Sequence, residues 1–248
     1  AECFPALFFR VWGTAAMEFE TEKREEREKR VREIMKRLEE HYREVPMSFL
    51  EASTPWQLLF ATILSAQCTD ARVNKVTDLL YRKYRSVQDF ADCDLRELER
   101  DIHSIGFYHS KARNLKACAA ELLEKYGGRV PDQLEELTAL PGVGRKTANL
   151  ILGRVYGKAA IVVDTHVRRV SNRLGLAKSS DPLKTELQLQ DSLPREFWTR
   201  WNTRVMALGR TRCSSLKPKC ESCYLKDLCP SRDGDPGYWR AARKKPGS

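Results

Sequence analysis

Residues 140–148 read LPGVGRKTA, and they sit between two stretches with helical spacing, DQLEELTAL (132–140) and TANLILGRVYG (147–157). Pro141 ends the first helix, because a proline disfavours helical geometry in the residue before it. Gly142 and Gly144 then permit a tight turn. This is the helix-hairpin-helix pattern. The backbone N–H groups at the start of the second helix face outward, and with the helix dipole they bind a phosphate without reading its base. Gly142, Val143, Gly144 and Arg145 are therefore candidate nucleic-acid contacts. An ordinary αα-turn is the plainer alternative.

Working outward, nearly every other segment is also helical. EFETEKREEREKRVREIMKRLEEHYRE (18–44) is a charged helix with one apolar stripe, Val31, Ile34, Met35 and Leu38. PWQLLFATILSAQ (55–67) is apolar nearly all round and reads as a buried helix started by Thr54-Pro55. ARVNKVTDLLYRKY, DLRELERDI, KARNLKACAAELLEKY, THVRRVSNRLG and PREFWTRWNTRVMALGR continue the pattern. Only AAIVV (159–163) looks strand-like, and a lone strand has no sheet to join. The fold class is all-α.

The chain's 248 residues suffice for one large domain or two modest ones. No run approaches the roughly 20 apolar residues of a membrane span, so no membrane partner is expected. Residues 1–16 read as a tail or a remnant of expression, with Met17 a natural start; residues 231–248 read as a polar basic tail. The net charge of +10 is unevenly spread. Residues 195–248 carry thirteen bases and five acids, and residues 140–175 carry seven bases against Asp164 alone. Such concentration suggests an anionic partner, nucleic acid being the commonest, although a charged thermophile-like surface has the same composition.

Four of the eight cysteines fall within CSSLKPKCESCYLKDLC (213–229). Cys213, Cys220, Cys223 and Cys229 have the spacing C-x6-C-x2-C-x5-C. Nothing else suggests an oxidising compartment, so disulfides are disfavoured. Four close thiolates otherwise hold zinc or an iron–sulfur cluster. A single C-x-x-C flanked by lone cysteines tilts toward the cluster without deciding it.

Lys146 lies in the first turn of the second hairpin helix. A cation there opposes the helix dipole, and the same field favours the neutral amine, the form that attacks carbon. A solvated lysine on a phosphate is the plainer reading. Eighteen residues on, Asp164 precedes a helix in VDTHVRRV, where it is placed as an N-cap. A capping carboxylate stays ionised, which suits a fixed anion beside a developing cation.

LPGVGRKTA, VDTHVRRVSNRLG and the cysteine spacing, together with SAQCTD (65–70) and IGFYHSKA (105–112), resemble the endonuclease III family of DNA glycosylase/AP lyases over roughly residues 30–230. The resemblance implies two helical domains flanking a DNA-binding cleft. One is a six-helix barrel at 48–158; the other joins 17–47 to 159–230 and holds a 4Fe-4S cluster on the four cysteines. It implies a bifunctional enzyme of base excision repair that acts as a monomer on duplex DNA containing damaged pyrimidines or abasic sites. Lys146 is then the Schiff-base nucleophile and Asp164 the carboxylate that stabilises the cationic sugar. Gln67 fills the gap left by the flipped nucleotide, Phe107 is the wedge, and His109 borders the same loop. Lys217 and Lys219, with Arg210 and Arg212 nearby, meet phosphates. The implied location is the cytoplasm and nucleoid of a prokaryote, or the nucleus or mitochondrion of a eukaryote. Lys146 argues against a monofunctional adenine or mismatched-thymine glycosylase. A non-catalytic iron–sulfur DNA-binding or redox-sensing protein would leave Lys146 and Asp164 without a purpose.

Overall fold

A computed structural model describes residues 8–45 and 49–231, with side chains described from residue 24 onward. Residues 1–7 and 232–248, most of the two expected tails, lie outside the described residues, as do residues 46–48 around the expected boundary at 47/48. The described residues form helices and no strand. No helix among them is long and apolar enough to cross a membrane. Chain contacts divide the protein into two units, Val45–Asp164 and the pair of segments Ala1–Glu44 and Thr165–Ser248.

The Val45–Asp164 unit contains α2 (Pro55–Leu64), α3 (Asp70–Lys83), α4 (Val87–Asp92), α5 (Leu95–Asp101), α6 (Tyr108–Tyr126), α7 (Leu134–Ala139) and α8 (Arg145–Val155). Thr54 opens α2 with a capping box in which Gln57 returns the bond, and Pro55 takes the first turn. Leu59, Phe60, Ala61 and Leu64 of α2 are fully buried, or nearly so. Each large apolar side chain so buried contributes about 1.5–3 kcal/mol. Seven helices stand among the described residues of this unit where six were expected. The extra one is α4, six residues long and too short to show a period, but closed by a Ser86/Asp89 capping box and anchored by buried Phe90. Phe90 meets Phe60 edge-on at 4.9 Å and Trp56 at 5.8 Å. Residues 159–164, assigned by sequence to the other domain, belong to this unit. Ala160 joins its core, and Asn149 Nδ2 donates to the Ile161 carbonyl at 2.9 Å.

The other unit contains α1 (Phe8–His41), α9 (Thr165–Arg173), α10 (Pro182–Ser192), α11 (Trp198–Thr211) and the cysteine loop. Residues 8–16, expected as tail, open α1. The stripe Val31, Ile34, Met35 and Leu38 is fully buried, and α1 packs against α11. Buried Trp201 of α11 donates from Nε1 to Ser171 Oγ of α9 at 3.0 Å. The Arg37 guanidinium pairs with both oxygens of Asp227, at 2.6 and 3.0 Å, and with the Tyr224 carbonyl, tying α1 to the cysteine loop. Asp181 caps α10 through the Lys184 N–H, with Pro182 in its first turn.

Candidate functional site

The hairpin is built by contrast between its two glycines. Gly142 has φ +78°, and a Cβ there would stand 2.9 Å from Asn114 Cβ of α6. Both the conformation and the close approach require glycine. Val143, expected as a contact, is instead buried; its N–H donates to the Leu140 carbonyl at 3.1 Å, so it anchors the turn from inside. Gly144 has ordinary extended angles and open space around it. As the residue before α8 it offers no side-chain oxygen, and no side chain caps this helix. The first N–H groups of an α-helix have no partner within the helix. No acid lies in the first turn of α8, and the Arg145 and Lys146 side chains there are exposed. The result is a helix start with no acidic side chain and two exposed basic ones in its first turn. Asp164 is half-buried and immediately precedes α9.

Gln67 and Phe107 share an unusual feature. They are the two non-glycine residues with positive φ among the described residues, at 53° and 60°. Both are exposed, Phe107 to 68%. With Ile63, Ala66, Lys111, Asn114 and Gly142 they line one cleft of 250 Å³. The structure thus brings together Gln67, Phe107 and the hairpin glycine. His109 does not line this cleft. Its Nδ1 lies 3.0 Å from Glu99 Oε1, and its ring lies against Tyr108.

Cys213, Cys220, Cys223 and Cys229 line a cavity of 290 Å³, walled by Val170, Leu174, Leu208 and Leu225. None is in a disulfide. Burial raises the Cys223 thiol and pushes Cys229 up to about 11, neighbouring cysteines adding to both. Thiolate ligands here need cations, and cations are present. Arg173 Nη1 is 3.3 Å from Cys213 Sγ, and Arg169 donates twice to the Cys213 carbonyl, at 3.0 and 3.2 Å. Four sulfurs spread around a cavity fit a multi-iron group with one thiolate on each iron. Lys217 and Lys219 are exposed on the same loop beside Leu216, which is 92% exposed. Arg212 is engaged locally, donating to Ser222 and lying over the Tyr224 ring.

Residues 60–195 match the family model described as HhH-GPD superfamily base excision DNA repair protein. The chain is 46% identical to an endonuclease III of Synechocystis sp. over 183 residues, covering 73% of this chain and 84% of that one. It is 46% identical to an endonuclease III of Bacillus subtilis over 178 residues, covering 71% and 81%. A solved structure of a trapped endonuclease III–DNA covalent intermediate with an estranged adenine superposes with a TM-score of 0.77 at 43% identity. It covers 83% of this chain and 96% of that one.

Proposed function

The chain belongs to the helix-hairpin-helix superfamily of base excision DNA repair proteins and, within it, to the endonuclease III family, and on that footing we propose how its residues act. It is a DNA glycosylase and AP lyase. The observation that carries the residue-level reading is exposed Lys146 in the uncapped, acid-free first turn of α8, directly after the hairpin.

The damaged pyrimidine nucleotide leaves the stack, since C1′ is shielded within a duplex. Gln67 fills the gap and Phe107 wedges the flanking bases. The neutral Lys146 amine attacks C1′; the N–C1′ bond forms, the bond to the base breaks, and the base leaves with a proton. The nitrogen lone pair then forms the C=N bond as C1′–O4′ breaks, O4′ takes a proton from solvent, and the nitrogen keeps its last proton as a protonated imine. Removal of a C2′ proton then expels the 3′ phosphate by β-elimination, which nicks the strand. Asp164, as a fixed carboxylate, stabilises the cationic sugar and assists proton transfer. The hairpin N–H groups hold one phosphate, and Lys217 and Lys219 of the cysteine loop also contact phosphates.

The cavity of Cys213, Cys220, Cys223 and Cys229 holds a 4Fe-4S cluster, which supplies a structural cross-link for the lysine-bearing loop and no step of base removal. The enzyme works as a monomer on chromosomal DNA, in the cytoplasm if its source is prokaryotic. The test of this function is strand cleavage on a panel of duplexes, each with one defined lesion. Nicking at oxidised pyrimidines and abasic sites is expected. Base release without nicking would replace this reading with a monofunctional glycosylase.

A further inference from the structure

Lys111 is a lysine that the proposed chemistry leaves without a task, yet it is 5% exposed and lies in the wall of the Gln67 cleft. Its Nζ donates to the Leu64 carbonyl at 2.8 Å and to the Ala66 carbonyl at 2.6 Å. These belong to the carboxyl end of α2 and the turn that follows it. The neighbouring carbonyls are taken locally: Ala61 and Thr62 accept from the Ser65 N–H, and Ser65 accepts from the Cys68 N–H. Lys111 therefore bonds two carbonyls of the turn in which Gln67 stands. A cation at a helix carboxyl end is favourable there, although desolvation lowers its pKa.

The same residue is joined to the wedge. The Lys111 backbone N–H donates to the Phe107 carbonyl at 3.1 Å, closing the first turn of α6. One residue thus bonds the segments carrying both left-handed positions, Gln67 through its side chain and Phe107 through its backbone. Left-handed geometry is unfavourable for residues with a Cβ and persists only where its surroundings hold it. Aimed at a cleft wall, such strain marks a functional constraint.

We propose that Lys111 is a positioning residue: it clamps the α2–α3 turn so that Gln67 is held, left-handed and beside Phe107, in the conformation that enters the gap in damaged DNA. The proposal rests on the reading of Gln67 given above. It acts through Gln67, so the two residues form one energetic unit.

The experiment is a double-mutant cycle on the full chain with Lys111→Met and Gln67→Ala. The readout is the ratio of affinities for a duplex bearing a tetrahydrofuran abasic analogue and for the same duplex undamaged. Lys111→Met is expected to lower this ratio about tenfold, the population an unsupported left-handed conformer loses. In the Gln67→Ala background it should lower it no further. A general loss of stability would instead weaken both affinities alike. Equal loss on both duplexes, or full additivity with Gln67→Ala, overturns the proposal while leaving the role of Gln67 intact. If Gln67→Ala itself leaves the ratio unchanged, the gap-filling reading has failed and the proposal falls with it. Should Lys111→Met not fold, Lys111→Gln, which keeps an N–H donor on a shorter arm, carries the same cycle. If neither folds, Lys111 is a stability residue and the proposal is wrong.

Discussion

Replacing each hairpin glycine by alanine separates what the fold requires from what the ligand requires. At Gly142 the chain has φ +78°, and the new Cβ would sit 2.9 Å from Asn114 Cβ. The left-handed conformation costs about 1–2 kcal/mol for a residue with a Cβ. The overlap adds about 1–3 kcal/mol, because Asn114 Cβ is fixed by α6 and cannot swing away. A loss of about 2–5 kcal/mol follows, and at about 2–4 °C per kcal/mol it lowers Tm by roughly 4–20 °C. At Gly144 the backbone is extended and nothing lies within 4 Å of the added carbon. Alanine there costs at most about 1 kcal/mol as a poorer N-cap. With a phosphate held at the α8 N–H groups as proposed, the methyl group would stand in its path, so DNA binding should weaken without unfolding. Urea denaturation followed by fluorescence, paired with duplex binding, reads both quantities. A Gly142→Ala variant within about 0.5 kcal/mol of the parent would refute the steric argument.

Lys217→Ala and Lys219→Ala should weaken binding to damaged and undamaged duplexes alike. Each should reduce the slope of log affinity against log salt by about one, measured by titration across salt concentrations. Asp164→Asn keeps the side-chain shape and removes the charge; single-turnover base release should fall by about 100-fold or more with DNA affinity retained. Near-normal turnover would reduce Asp164 to a structural role. Anaerobically purified protein should be brown and contain iron, and Cys220→Ser should lose colour, folding and DNA affinity together. One zinc and no iron on elemental analysis would overturn the cluster assignment.

The helices legible in the sequence are those whose apolar spacing survives over several turns. The α1 stripe of Val31, Ile34, Met35 and Leu38 is buried as its period demands. Helices α4 and α10 show no such period; their boundaries are written in caps, Ser86 with Asp89 and Asp181 with Pro182. The AAIVV stretch has strand propensity but forms no strand, and burial of Ala160 in a helical core overrides propensity. At the candidate site, glycine and charge patterns expose the hairpin and its lysine. They hide that Val143 faces inward, that His109 pairs with Glu99, and that Gln67 and Phe107 are left-handed. The turn at Gln67 is bonded to α6 by contacts across 45 and 47 residues, Lys111 on Ala66 and Leu64. A single sequence carries no local mark of them.

The central claim is that Lys146 is the amine that joins DNA covalently. Incubating the protein with a duplex containing an abasic site, in the presence of borohydride, should reduce the imine to a stable protein–DNA adduct whose modified peptide contains Lys146. Lys146→Gln should bind the same duplex, form no adduct and leave the strand unnicked. An adduct of undiminished yield from Lys146→Gln would show that another amine is the nucleophile and contradict the account.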